Sequence, residues 1–211
     1  MEDAEVYYDS AEPLVPKRAG LAEVREAAMG CRACHLWRLG TQTVFGEGSD
    51  QAKAMFVGEQ PGDKEDLAGR PFVGPAGKLL DKALEEAGID RGDVYITNVV
   101  KHFKWEPSGN RRIHKKPNRG EIESCRPWLD AELERVQPKV LVCLGATAAQ
   151  ALLGASFKLT QHRGEFVESG FSAKVLATLH PAAVLRMPGD ELRERATREF
   201  FDDMKLVARQ L

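Results

Sequence analysis

The chain has 211 residues, 43% of them hydrophobic and 29% charged, the size of one ordinary globular domain or at most one and a half, with a full core. A formal net charge of -2 advertises no nucleic-acid partner, so any DNA contact has to rest on a local basic patch. No apolar run approaches a bilayer span, and the opening MEDAEVYYDSAEP is acidic where a targeting signal would be basic, so a cytoplasmic protein is expected.

Residues 1–19 are acidic, proline-containing and aperiodic, and are expected to form a flexible leader or a strap along the surface of a single domain spanning residues 20–211. Next come Cys31 and Cys34 as a C-x2-C pair, with Cys125 and Cys143 far downstream. Disulfides are rare in a reducing compartment, and a zinc ribbon would show a second tight pair. The spacing therefore suits a cluster whose ligands come from separate elements, with Fe–S and zinc both open. The alternative is one CxxC pair and two core cysteines, and Cys143 in VLVCLG suits that alternative best.

From there, short apolar runs alternate with longer amphipathic stretches, the pattern of a largely parallel sheet covered by helices. Strands are predicted at residues 54–58, 94–100, 140–144 and 175–179. Helices are predicted at 74–87, ending at Gly88; from a capping box of Asn118 and Glu121 onward, carrying Cys125 and Trp128; at 147–153, ending at Gly154; and at 191–211. The fold class is α/β, a three-layer α/β/α sandwich on a four-stranded, largely parallel sheet.

Ligands of such sheets bind beyond the carboxyl ends of the parallel strands. The first strand leads into GEQPGDKEDLAGRPFVGPAG, whose glycines let backbone amides approach a ligand without forming a Walker loop or a GxGxxG fingerprint. The second ends at Asn98, which offers an acceptor and a donor from one amide. The third opens onto GATAA, a helix start suited to a phosphate, and the fourth onto HPAAVLR with His180. Before the capped helix, NRRIHKKPNR packs five cations around His114, the basic patch that the net charge conceals.

The segment from Gly58 to Gly77 matches the pattern GE-x-PG-x-x-ED-x-x-G-x-PFVG-x-AG, and with the four cysteines it resembles the Fe–S-containing family 4 of the uracil-DNA glycosylase superfamily and the related UdgX branch. The resemblance runs from Cys31 to Arg186 and implies the uracil-DNA glycosylase fold, with a [4Fe–4S] cluster on Cys31, Cys34, Cys125 and Cys143 as a structural staple. Gln60, where family 4 carries a small residue, and RRIHK, which resembles the extra basic loop of the UdgX branch, point to that branch; Asn110, which begins the loop, departs from it by replacing a lysine.

The activity so implied is recognition of uracil in DNA, preferably single-stranded, cleavage of its N-glycosidic bond, and capture of sugar C1′ by His114 with Glu59 as partner. The alternative is a family 4 enzyme that releases a free abasic site. Phe72 is expected to stack on uracil, Asn98 to pair with its O4 and N3–H edge, and His180 to donate toward O2, with the backbone near Gln60 and Gly62 completing the cradle. Asp63 and Asp66 would order the loop or a water. Arg112, Lys115, Arg163 and Arg186 are expected on DNA phosphates, with His162 a phosphate candidate and Leu185 a wedge into the vacated stack. His35 and His102 read as structural, and the expected state is a monomer.

Overall fold

The computed structural model describes residues 9–211. Of the predicted leader or strap, residues 1–8 lie outside the described residues. The Asp9 and Ala11 amides donate to the carbonyls of Ala33 and Ser124, and Ala11 is fully buried.

Four parallel strands form the sheet: β1 (Ala54–Gly58), β2 (Val94–Asn98), β5 (Val140–Leu144) and β7 (Lys174–Thr178), in the order β2-β1-β5-β7. A two-residue strand, β6 (Phe166–Val167), adds an antiparallel fifth strand beside β7, so the sheet has one strand more than expected. Two residues are too few for a periodicity to register. The second strand stops at Asn98, four residues after its start, although the amides of Val99 and Val100 still donate to Gly58 and Glu59.

Alternation along these strands divides two cores. Met55, Val57, Tyr95, Leu141, Cys143 and Val175 face the layer of α1 (Leu21–Met29), α4 (Arg119–Val136) and α5 (Ala146–Leu153). Ala54, Phe56, Ile96, Val142 and Leu176 face α3 (Pro75–Ala87), α7 (Pro181–Leu185) and α8 (Asp190–Ala208) on the other side. Both faces are buried, which is why the strands read as continuous apolar runs.

Two helix signals hold in detail, whereas the last helix, predicted to run to residue 211, ends at Ala208. Asn118 Oδ1 accepts from the Glu121 amide at 2.9 Å while a Glu121 carboxylate oxygen accepts from the Asn118 amide at 2.6 Å, closing the predicted capping box at the start of α4. Gly88 closes α3 in the left-handed conformation, φ 72°. Two segments expected as loops are ordered elements. The glycine-rich segment contains α2 (Asp63–Ala68), and the basic segment supplies β4 (Arg111–His114), paired antiparallel with β3 (Trp105–Ser108) in a hairpin separate from the main sheet. A single-turn α6 (Leu159–His162) precedes β6. No helix among the described residues is long and apolar enough to cross a membrane.

Candidate active site

A cavity of about 640 Å³ opens at the carboxyl ends of the strands, and its wall includes Glu59, Phe72, Asn98, His114, Thr147 and His180. Gln60, Gly62, Leu185 and Arg186 also line it. Sequence-distant strand ends are thus brought to one place, as the parallel topology requires.

Two glycines make the floor possible. A Cβ on Gly77 would lie 1.5 Å from the Phe72 carbonyl oxygen, and one on Gly58 would lie 2.4 Å from Asn98 Oδ1 and 2.9 Å from the Phe72 ring. Phe72 itself sits at φ 55°, a strained conformation for a bulky residue that the surrounding turn enforces. Its ring lies 5.8 Å from the His180 ring at 31°. Asn98 is 2% exposed, and its Oδ1 has no hydrogen-bond partner among the described residues. A buried acceptor left open in a cavity wall calls for a donor on the ligand.

His180 caps α7, its Nδ1 accepting from the Ala182 amide at 3.1 Å. That bond leaves the proton on Nε2, and burial pushes the imidazole pKa down to about 4, so the ring stands as a neutral donor. Glu59 lies across from it. Burial alone would raise its pKa, but hydrogen bonds from His114 and Thr147 outweigh that and hold the carboxylate below its ordinary range. His114 Nε2 is 3.3 Å from Glu59 Oε1, and Thr147 Oγ1 donates to Glu59 Oε2 at 2.5 Å. Thr147, in the first turn of α5, thus gives its hydroxyl to a carboxylate of the protein itself.

The Gln60 side chain turns to the hairpin, which leaves the expected backbone contribution to the cradle untouched. Its Nε2 donates to the carbonyls of Lys104 (3.2 Å) and Lys115 (3.0 Å), and its Oε1 accepts from the Lys104 amide (3.1 Å). One carboxamide thereby joins the two ends of the hairpin that carries His114.

Arg112, expected on DNA phosphates, instead donates to Asp63 and Asp66 at 2.6 Å each and lies over the rings of Phe103 and Trp105. The two acids thus fasten the hairpin to α2, and Asp66 is fully buried while doing so. Arg163 is likewise taken up, by Asp203 and Glu199, and Lys115 pairs with Glu106. His162 lies 3.7 Å from Glu165. Arg186 lines the cavity beside Leu185, which is 40% exposed. Arg186 at the cavity and Arg111 and Lys116 of the basic segment form no ion pair among the described residues, so these three of the cations near the site are open to an anion. His102 is structural as expected: buried, its Nε2 3.0 Å from Thr43 Oγ1, and with a pKa lowered by burial to about 4.

The four cysteines are buried and unpaired in one core layer. Burial pushes the Cys34 thiol up to about 11 and those of Cys125 and Cys143 up to about 12. Among the described residues no three His, Cys, Asp or Glu side chains converge as they would on one metal ion. Cys31, Cys34 and Cys125 are nonetheless close enough to feel one another electrostatically. Trp128 Nε1–H donates to Cys31 Sγ at 3.2 Å and the Lys101 amide to Cys125 Sγ at 3.3 Å, donors placed as thiolate sulfurs want them.

A sequence profile of the Uracil DNA glycosylase superfamily matches residues 45–205. The chain belongs to that superfamily. Within it, a type-4 uracil-DNA glycosylase of Archaeoglobus fulgidus is 42% identical over 187 residues, covering 85% of this chain and 89% of the relative. One of Thermotoga maritima is 43% identical over 171 residues, covering 81% and 85%. A type-5 uracil-DNA glycosylase of Pyrobaculum aerophilum is 31% identical over 180 residues, covering 77% and 75%. The superfamily domain begins after the CxxC pair and includes every residue of the cavity wall.

Thr147 and the hairpin role of Gln60 escaped the sequence reading. Thr147 had a signal, since it stands in the GATAA run already placed at a strand end; the partners of Gln60, 44 and 55 residues away, had none.

Proposed function

We propose that this chain excises uracil from DNA. The observation that carries the reading is the open, buried Oδ1 of Asn98 in the wall of a cavity of base-accommodating size, in a member of this superfamily. Uracil would lie against Phe72 and give its N3–H to Asn98 Oδ1, while the amide NH2 donates to O4; cytosine, with N3 as acceptor and an amino group at C4, inverts both partners. The neutral His180 Nε2–H donates toward O2 as the N1–C1′ electrons leave with the base. Arg186, Arg111 and Lys116 would face the phosphates, and Leu185 the gap left in the stack.

In the finer reading, His114 then captures the sugar. Bond cleavage leaves an oxocarbenium-like C1′, and the imidazole nitrogen not turned to Glu59 supplies the electron pair for a new N–C1′ bond. The positive charge that arrives on the ring is met by Glu59, 3.3 Å away and kept ionised by Thr147. The names of the type-4 relatives favour a second reading, in which water attacks C1′ and a free abasic site is released. A denaturing gel of uracil-containing oligonucleotide separates them. Capture gives one heat-stable protein–DNA band per molecule of protein and one equivalent of uracil, whereas repeated formation of alkali-labile DNA by the wild type overturns it.

The cysteine set suits a cluster, because all four thiols are buried in one core layer and two of them receive N–H donors, Cys31 from Trp128 and Cys125 from Lys101. A [4Fe–4S] cluster there would tie the strand-bound Cys143 to α4 and the CxxC segment, a structural role outside the reaction. Iron and sulfide analysis tests this, and one zinc per chain without iron would contradict it.

A further inference from the structure

The hairpin that presents His114 makes its closing contacts through Lys104 in two ways. The backbone of Lys104 holds Gln60 on both sides, N–H to Oε1 and carbonyl from Nε2, and its carbonyl also accepts from the Lys115 amide at 3.0 Å, the last rung before the strands part. Its ammonium reaches Glu121 at 2.9 Å and 3.0 Å to the two carboxylate oxygens. Glu121 is fully buried and also caps α4 through the Asn118 amide and meets His35, the residue after Cys34, at 3.4 Å. A two-stranded hairpin has little stability of its own, so its placement comes from such anchors.

We propose that Lys104 is a positioning residue for His114: its ion pair to Glu121 fixes the foot of the hairpin against α4 and thereby sets the distance of the imidazole from the sugar. The inference rests on the reading that His114 captures C1′. The Lys104 side chain touches neither Glu59 nor a residue of the cavity wall, and its substitution leaves the backbone bonds to Gln60 available, so its loss should leave uracil binding and bond cleavage alone and act only on the fate of the sugar. With the foot released, the ring strays from its attack position and water competes for the oxocarbenium.

The test compares wild type, Lys104→Met, Lys104→Arg and the double variant Lys104→Met/Glu121→Gln under single turnover on a uracil oligonucleotide, scoring adduct, alkali-labile abasic DNA and total uracil. The double variant removes the carboxylate that the single one leaves buried without its lysine, separating loss of the tether from a fold defect. For Lys104→Met, total uracil should stay within about twofold while the ratio of adduct to abasic DNA falls roughly tenfold, as expected for sub-ångström to ångström displacement of a reacting group. The double variant should show the same fall, and Lys104→Arg should restore the ratio, because a guanidinium still reaches Glu121. Amide exchange of residues 105–114 should rise in both methionine variants and not in the arginine variant. An unchanged ratio with unchanged exchange overturns the proposal, as does an equal loss of adduct and uracil, which would mark a global defect. If the wild type makes no adduct, the His114 reading fails, and hairpin exchange alone then decides whether Lys104 anchors it.

Discussion

Replacing Asn98 with alanine should make the free protein more stable while nearly silencing it. Asn98 Oδ1 is buried without a partner, a state that costs about 1–3 kcal/mol in the ligand-free protein. Alanine removes that oxygen, and the space merges with the cavity of about 640 Å³ and so leaves no dry void. The Asn98 carbonyl, which accepts from Lys101 Nζ at 2.7 Å, is untouched by the change. Taking about 1.5 kcal/mol as the net gain, a domain of this size should melt about 3–6 °C higher. Uracil excision loses two hydrogen bonds that strengthen as the base departs, together about 3 kcal/mol, so the single-turnover rate should fall about a hundredfold. Thermal melts and rates on one oligonucleotide measure both. A lower melting temperature, or a rate within threefold of wild type, would refute the reasoning and make Asn98 a packing residue.

The buried Lys101 ammonium satisfies all three donors, on Thr97, the Asn98 carbonyl and Glu132, so Lys101→Met should destabilise by about 3–5 kcal/mol in urea melts, and adding Glu132→Gln should recover part of that. His102 and His180 have folded pKa values near 4 against about 6.5 unfolded. Their stabilising effect is complete above pH 6.5 and is lost as pH falls toward 4, about 2 kcal/mol per histidine by pH 5. His102→Gln should therefore flatten the fall in urea-melt stability between pH 7 and pH 5; an unchanged slope would contradict its burial as a neutral ring. If Arg111 and Lys116 of the basic segment and Arg186 at the cavity are the cations that meet phosphate, affinity for uracil-free DNA should fall with log salt at a slope of about -3, and Arg186→Ala should reduce that slope by about one.

What the sequence made legible was local or periodic. The Asn118–Glu121 box spans three residues and reads directly as a helix start, and the four apolar runs become the four parallel strands because both sheet faces are covered. Asn98, Glu59 and His180 could be placed because strand ends in a parallel sheet converge. Arg112 could not, because a cation tied to acids 46 and 49 residues earlier looks in sequence like any cation open to solvent. Gln60 was singled out for its size against a small residue in family 4, but which backbone groups it meets depends on how the chain returns from β2. The hairpin itself was hidden because its strands are short and charged, with one face turned to solvent.

The β3–β4 hairpin shares no ladder with the main sheet and is fastened by side chains: Gln60 between its ends, Arg112 to α2, and Lys104 to α4. Such an appendage can be lengthened, re-aimed or removed without breaking a strand pairing of the domain beneath. On the capture reading, the pocket that would select the base and the arm that would set the fate of the sugar are separate objects, and the three attachment points are where substitution would act on the second without redrawing the first.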